Sequence, residues 1–318
     1  MPGTTLEANG YKYESQQDWA EIPPGYEFPD ASGVAVDTDD NVYILNRGAH
    51  PVIVVDKNGK FVRSWGEGQF GQRAHGIHAS LDGYIWTVND SQHCVKKHTK
   101  DGKLVMTIGQ EGQAAEKWSG VPFNRPTNMG VSPTTGDVYI TDGYGNARVH
   151  RYTAEGKHVV SWGEPGIDPG QFQIPHNVVI DRDENVYVTD REGNRVQVFD
   201  KNGKVQAIWQ NVYRPQALCM DDSCTHIYVG EMLMQAGLDD CLTLGHHLNV
   251  YNLKGERQAR LGDPMIGDEP TQFIAPHGFD VDSKGNLYVG EVSFTVYGNR
   301  KFNPPRTFKA FRRLERVN

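Results

Sequence analysis

Long hydrophobic runs, a basic leader and clustered cysteines are all missing from this sequence of 318 residues. No stretch approaches the roughly 18 consecutive apolar residues of a membrane-spanning helix. The first thirty residues lack the basic start and apolar core of a signal peptide. We therefore expect a cytoplasmic protein. The four cysteines, Cys94, Cys219, Cys224 and Cys241, lack zinc-finger spacing, so free thiols are expected, with a Cys219–Cys224 pair across a hairpin as the alternative.

An excess of positive charge is also missing. The sequence has 32 Lys and Arg against 40 Asp and Glu, which gives a formal net charge of −8. Nucleic acids and anionic membrane surfaces are polyanions that an acidic protein repels. We therefore expect neither as a partner, and we expect a monomer or a weak oligomer.

The sequence does contain 35 glycines and a pattern that returns six times. A short apolar strand leads through an Asp, Gly or Asn turn to a strand rich in Tyr and Val, and a third strand ends at a Gly-Lys turn. Steps of about 40 to 60 residues with about four strands each are typical of a β-propeller. We predict an all-β, six-bladed propeller over residues 11–318, preceded by a leader at residues 1–10.

The last repeat has no clear fourth strand, and the N-terminal segment offers one. Residues 11–19, followed by Phe28, mirror the segment 162–172 that precedes the fourth repeat. We predict that residues 11–19 form the outer strand of the last blade, which closes the ring and removes a free sheet edge. The longest departures from the repeat, 110–124 and 232–247, are predicted to shape one mouth of the propeller.

Three histidines recur at equal intervals, each at the start of an apolar, strand-like run. The steps from His75 to His176 and from His176 to His277 are both 101 residues (176 − 75 and 277 − 176). Alignment of the repeats puts the three at one structural position, at the start of the innermost strand of every second blade. The aligned positions of the other blades hold Ser32, Thr127 and Gln216.

A threefold set of histidines at a propeller axis predicts a metal site. One inward-facing histidine is usually a polar channel residue, whereas three in threefold register can converge on a single ion. Three histidines leave coordination positions open, which is typical of a catalytic zinc. Fe, Co or Mn could occupy the same donor set.

The loops after the second strand of each repeat are predicted to face the same mouth. Two of them share a core of the type Asp-x-x-x-Asn-x-Arg, which indicates a structural brace and comprises Asp142, Asn146, Arg148, Asp190, Asn194 and Arg195. The residues that differ between blades are Arg47, Tyr144 and Arg191. An arginine near a metal can hold a carboxylate bidentately, and a tyrosine near a divalent cation can act as a base. Taken singly, each is also an ordinary loop side chain.

Together these residues make the sequence resemble peptidyl-α-hydroxyglycine α-amidating lyase and the bacterial NHL-repeat proteins related to it, over about residues 28–315. The motifs are Arg-Gly-x-His at 47–50, Asp-Gly-Tyr-x-Asn-x-Arg at 142–148, Asp-Arg-Glu-x-x-Arg at 190–195, and the Pro-His pairs at His176 and His277. In that family the motif histidines bind zinc, which the resemblance places on His75, His176 and His277. The family's active-site tyrosine falls on Tyr144, and its two arginines fall on Arg47 and Arg191.

Two departures from the family pattern stand out. The family has an Asp after the third histidine that helps to hold a calcium ion, and Gly278 here removes that carboxylate. The animal enzymes have disulfides where this chain has Asn124, Gly145, Val186 and Val198, so those bridges are not expected.

The resemblance implies a metal-dependent carbon–nitrogen lyase, with Zn²⁺ as cofactor, that cleaves an N-acyl-α-hydroxyglycine-like hemiaminal to an amide and glyoxylate. Its substrate would be a small or peptide-like molecule that carries a carboxylate. Tyr144 would take the hydroxyl proton, and Arg47 and Arg191 would hold the carboxylate. One alternative is a metal-dependent hydrolase of the lactonase or esterase type, although the axis positions contain no Asp or Glu. The other is a non-enzymatic NHL interaction platform.

Overall fold

The structure is a computed structural model that describes residues 3–70, 73–221, 223–235, 241 and 244–317. These residues form six sheets of antiparallel strands, each with at least four strands. The prediction of a six-bladed β-propeller is confirmed. Within the described residues, no helix has the length and apolar character needed to cross a membrane.

The strands follow one another in the order that the repeats predict. In chain order they are β1 (Thr5–Ala8), β2 (Tyr11–Gln16), β3 (Ala31–Val36), β4 (Val42–Asn46), β5 (Val52–Val55), β6 (Phe61–Trp65), β7 (Ala74–Ala79), β8 (Ile85–Asn89), β9 (Cys94–His98), β10 (Leu104–Gly109), β11 (Asn128–Val131), β12 (Val138–Asp142), β13 (Arg148–Tyr152), β14 (His158–Trp162), β15 (Pro175–Ile180), β16 (Val186–Asp190), β17 (Arg195–Phe199), β18 (Val205–Trp209), β19 (Pro215–Met220), β20 (His226–Glu231), β21 (Leu248–Asn252), β22 (Arg257–Leu261), β23 (Pro276–Val281), β24 (Leu287–Glu291) and β25 (Phe311–Arg316). A π-helical turn, Phe294–Gly298, and a short helix α1, Asn299–Lys301, precede β25.

The chain divides into two compact units. One unit, Gly66–Leu218, contains the three sheets β7–β10, β11–β14 and β15–β18, and its inner strand β11 packs between β7 and β15. The other unit joins Met1–Trp65 to Cys219–Asn318, and in it β3 and β20 both pack against β23. The inner strands β7, β11 and β15 therefore lie side by side in the first unit, and β3 lies beside β23 in the second.

A turn of one design joins the first two strands of three blades. In blade four, Asp181 accepts hydrogen bonds from the backbone and side-chain amides of Asn185, and Tyr187 donates its hydroxyl to the same carboxylate at 3.0 Å. Local bonds of this kind hold the turn in the conformation that a hairpin needs. The same contacts recur at Asp37, Asn41 and Tyr43, and at Asp282, Asn286 and Tyr288.

The N-terminal segment completes the last blade, as predicted. β2 pairs with β25, so the sheet runs in the order β1, β2, β25, β24, β23. Residues 5–8, which the sequence assigned to a leader, form β1 and pair with β2 as a fifth strand. The ring of Trp19 packs 5.0 Å from that of Tyr288, centroid to centroid, and fixes the segment that follows.

The cysteines and the two long loops complete the fold. Cys94 and Cys219 are buried free thiols, so the alternative of a Cys219–Cys224 pair is not realised. The loop 110–124 folds back on itself, since the Ala115 N–H donates to the Phe123 carbonyl and the Phe123 ring is buried between blades two and three. Parts of the loop 232–247 lie outside the described residues.

Candidate active site

A one-residue bulge places each of the predicted axis histidines. In the pairing of β15 with β16, Pro175 faces Asp190 and Asn177 faces Thr189, so His176 is the extra residue of a β-bulge. The same irregularity falls at His75 and at His277. A bulge releases one residue from the alternation of the strand and turns its side chain in a new direction. All three imidazoles are buried.

His75 and His176 lie together in the unit Gly66–Leu218. Their ring centroids are 4.9 Å apart, and the Nε2 atom of each ring lies near the hydroxyl oxygen of Tyr144, at 2.9 Å for His75 and 3.2 Å for His176. The Nδ1 atom of His176 bonds to the Gln216 carbonyl at 2.6 Å. Because a carbonyl only accepts, Nδ1 carries the proton and Nε2 keeps its lone pair on the side of Tyr144.

His277 lies in the other unit and has the same local partner. Its Nδ1 atom donates to the carbonyl of Ser32 at 2.7 Å. Ser32 and Gln216 occupy the aligned axis positions of the blades that follow, so His176 and His277 use an equivalent bond. The prediction of one structural position for the histidines is supported inside each unit by the bulge and by this bond.

Tyr144 follows β12 in a loop that fits closely against its neighbours. The Tyr144 N–H donates to the Arg125 carbonyl at 3.3 Å. A Cβ atom on Gly143 would lie 2.0 Å from the carbonyl oxygen of Pro175, the residue before His176. Only glycine permits this approach, which brings the tyrosine loop against the strand that carries His176.

Arg191 meets the same hydroxyl group from the next blade. Its backbone N–H donates to the Ile174 carbonyl at 2.9 Å, and its Nη1 atom donates to the Tyr144 hydroxyl at 3.3 Å. The Nε atom bonds to Glu192 at 2.9 Å. Burial alone would lower the pKa of this guanidinium, but the charges of Tyr144 and Glu192 outweigh it and raise the pKa. Arg191 is therefore a permanent cation at the tyrosine oxygen.

Arg47 lies in the unit that contains His277. Its backbone N–H donates to the Asp30 carbonyl at 3.0 Å, and its Nη1 atom donates to Thr295 Oγ1 at 3.0 Å and lies 3.5 Å from the Asp30 carboxylate. Burial raises the pKa of Asp30, although the hydrogen bond from Thr295 and the charge of Arg47 oppose that shift. Arg47 and His277 thus bind the two ends of one short segment, Asp30 to Ser32.

The structure thus brings His75, His176, Tyr144 and Arg191 together in one unit. The loop core expected to be structural makes structural contacts: Asn146 donates to Asp142 at 2.8 Å, and Arg195 donates to Asp190 at 3.0 Å.

Two arginines that were not predicted from the sequence as site residues also lie beside the ring of Tyr144. The guanidinium carbon of Arg125 lies 4.8 Å from the centre of the Tyr144 ring, and that of Arg73 lies 5.9 Å away. A signal for them exists in the sequence, because each stands two residues before an axis position. Arg214 has the same offset from Gln216 and pairs with Glu192 at 2.8 Å.

The close packing of blades six and one explains the glycine after the third histidine. A Cβ atom on Gly278 would lie 2.5 Å from the Cα atom of Gly33 and 2.9 Å from the Ser32 carbonyl oxygen. An aspartate cannot replace Gly278 unless β3 moves. The close packing of this unit therefore requires glycine at position 278, where the family has an aspartate.

The sequence of this chain is similar to those of several known proteins. The NHL repeat family matches residues 172–199. Rat peptidylglycine α-amidating monooxygenase is 30% identical over 228 residues, which cover 61% of this chain and 23% of the relative. Human NHL repeat-containing protein 3 is 29% identical and is matched over 81% of this chain and 76% of the relative. Peptidyl-α-hydroxyglycine α-amidating lyase 1 of Drosophila melanogaster is 29% identical, over 74% of this chain and 45% of the relative.

A solved structure of a streptogramin B lyase has the same fold. It superposes with a TM-score of 0.62 over 98% of each chain at 14% identity. The chain spans about a quarter of the rat enzyme and less than half of the Drosophila lyase. The chain is therefore a homologue of the peptidyl-α-hydroxyglycine α-amidating lyases and of the NHL-repeat proteins.

Proposed function

We propose that this chain is a carbon–nitrogen lyase that cleaves an N-acyl-α-hydroxyglycine to an amide and glyoxylate. The observation that carries the proposal is the environment of the Tyr144 hydroxyl, which lies 2.9 Å from His75, 3.2 Å from His176 and 3.3 Å from Arg191. A tyrosine oxygen among imidazole nitrogens and a fixed cation is placed to act, as phenolate, as the acceptor of a proton from a substrate hydroxyl. The lyase named among the relatives supports the same reaction class.

His75, His176 and His277 would hold a divalent cation, and the donor set suits Zn²⁺, with Fe, Co or Mn as other candidates. The residues fit such an ion because His176 and His277 both donate Nδ1–H to a backbone carbonyl. That bond fixes the ring and its tautomer, so that the lone pair of Nε2 would be the metal ligand. When bound, the cation supplies positive charge that lowers the pKa of a coordinated hydroxyl group.

The side chains divide the reaction between them. Arg191 and Arg47 bind the α-carboxylate, and the oxygen of Tyr144, as phenolate, accepts the proton of the α-hydroxyl group. The electrons of the O–H bond form the new C=O bond. The C–N bond breaks at the same time, and the electron pair of the C–N bond passes to the amide nitrogen. Tyr144 then returns the same proton to that nitrogen. No water enters the equation, so the substrate yields one amide and one glyoxylate.

The proposal is tested by glyoxylate release from a panel of N-acyl-α-hydroxyglycines, in metal-supplemented protein. Replacement of Tyr144 by Phe removes the proton acceptor and should lower kcat by about 10² to 10⁴-fold, the usual contribution of acid–base catalysis. Tyr84→Phe is the matched control, because Tyr84 lies in the same unit against Lys97, at the end of the β7–β8 hairpin opposite His75. Equal activity of the two variants would refute the role of Tyr144. Release of the acyl group as a carboxylic acid would favour a hydrolase.

A further inference from the structure

Arg73 and Arg125 share one buried carboxylate beside Tyr144. The Arg73 Nη2 atom lies 2.6 Å from Asp90 Oδ2, its Nε atom bonds to the same carboxylate at 2.8 Å, and Arg125 Nη2 bonds to it at 3.2 Å. Asp90 is fully buried. The pair is therefore held in one orientation before any ligand arrives, and little side-chain freedom is left to lose on binding.

The charges around Tyr144 do not cancel. Arg73 and Arg125 carry two positive charges against the single negative charge of Asp90, which leaves +1 on that side of the Tyr144 ring (2 − 1). On the other side, the charges of Arg191 and Arg214 are opposed by Glu192 and by the Tyr144 phenolate of the proposed mechanism. The positive charge at Asp90 is therefore the one that a further anion would neutralise.

The two guanidiniums are open to solvent although their carboxylate is not. The side chains of Arg73 and Arg125 are 40% and 41% exposed. Asp90 engages two nitrogens of Arg73 and one of Arg125, so each guanidinium retains N–H groups beyond those that Asp90 accepts. An arginine pair that is ordered by a buried acid and still reaches water is a suitable receptor for an anion.

We propose that Arg73 and Arg125 form a second anion subsite, so that the preferred substrates are N-acyl-α-hydroxyglycines whose acyl group carries its own carboxylate. This inference rests on the proposed lyase function and adds a substrate class to it. The α-carboxylate and the α-hydroxyl share one carbon, so the α-carboxylate belongs with Arg191, which touches the tyrosine oxygen. Arg73 and Arg125 lie against the Tyr144 ring, which suits a group further along the substrate.

The test compares two substrates that differ in one charge, N-succinyl-α-hydroxyglycine and its methyl succinyl ester. The native protein should show a kcat/KM about 10-fold or more higher for the succinyl compound, as expected for one charge-assisted hydrogen-bond pair. Arg125→Gln and, separately, Arg73→Gln should remove most of this preference through KM. The kcat for the ester should change little. Arg151→Gln is the control, since Arg151 also pairs with an acid, Asp137, and lies 5.8 Å from the ring of Tyr139.

The outcomes separate the subsite from the lyase itself. Equal kcat/KM for both substrates in the native protein would overturn the subsite and leave the lyase in place. A fall in kcat for both substrates in Arg125→Gln, with the preference kept, would mean that the pair serves Tyr144 and would also overturn the subsite. Failure of every substrate to give glyoxylate would instead remove the proposed function. Thermal unfolding of each variant shows whether it is folded.

Discussion

A single bulged residue per blade sets the chemistry of the inner strands. His75, His176 and His277 are each left out of the strand ladder, and the rings of His176 and His277 are tied by Nδ1 to a carbonyl of the adjoining blade. The bulge sets the direction of the histidine side chain, and the hydrogen bond to the carbonyl fixes the tautomer of the ring. Tyr144 adds the proton acceptor because the close-packed Gly143 allows its loop to approach the strand of His176.

Removal of one axis histidine should release the metal. Purified protein reconstituted with Zn²⁺ should contain about one ion per chain by elemental analysis, and His176→Ala should contain far less, because two remaining imidazoles bind weakly. His158→Ala is the control, since His158 is exposed on the outer strand of blade three. Full metal content in His176→Ala would contradict the donor set.

Single residues differ in how well the sequence predicted them. The equal steps between the histidines and the alignment of the repeats predicted one structural position for all three, and each lies at the same bulge. Tyr144, Arg47 and Arg191 were predicted from the differences between the loops and from the family resemblance, and their roles stay predictions. Arg73 and Arg125 were missed because an arginine before a strand resembles a solvated surface residue. Their offset of two residues before an axis position is a weak signal, and their pairing with Asp90 is visible only in the structure.

The N-terminal strand β2 closes the last blade. β2 covers the edge of β25 and buries Tyr13, whose hydroxyl lies 3.4 Å from that of Tyr228. Without β2, the last blade would present an unpaired edge.

Deletion of residues 1–17 should therefore destabilise the protein. We expect a lower midpoint of thermal unfolding, or aggregation through the exposed strand, by light scattering and circular dichroism. Deletion of residues 1–3 should have no effect, because the bond from Ser15 N–H to the Thr4 carbonyl remains. An unchanged midpoint in the longer deletion would show that the closing strand adds nothing to stability.

Elements with strong turn signals were predictable, and those without were not. The turns in which an Asp is followed by Asn and Tyr, four and six residues later, predict their hairpins from the sequence. β1 was missed because a strand of four residues with one buried side chain, Leu6, carries little signal. The π-helical turn Phe294–Gly298 is rich in residues typical of strands, and it forms because Val292 and Val296 bury their side chains against Ile274.

The whole molecule buries neutral histidines in both of its units. Burial lowers the pKa of His98 in one unit and of His247 in the other to about 4. The ordinary pKa is about 6.5, so the unfolded chain takes up these protons first as the pH falls. Stability that is present above pH 6.5 is therefore lost progressively between about pH 6.5 and pH 4.

Urea unfolding at pH 7, 5.5 and 4 measures this loss. The free energy of unfolding should fall toward pH 4, by at most about 3 kcal/mol for each histidine. His98→Asn removes one titrating group and should make the fall smaller. A free energy of unfolding that rises on acidification, or a variant with the same pH dependence, would contradict the assignment.

The period of the repeats predicted the architecture as a whole, because six similar hairpin pairs can bury their apolar faces only by stacking on one another. What the period could not supply is the set of charges that meets at Tyr144, since those residues come from three different blades.

The lyase proposal is tested by the identity of both products formed from one N-acyl-α-hydroxyglycine by the metal-loaded protein. Amide and glyoxylate should form in equal amounts, without acyl carboxylic acid, and both products should be lost in Tyr144→Phe but not in Tyr84→Phe. Formation of the free carboxylic acid, or product formation that survives in Tyr144→Phe, would contradict it.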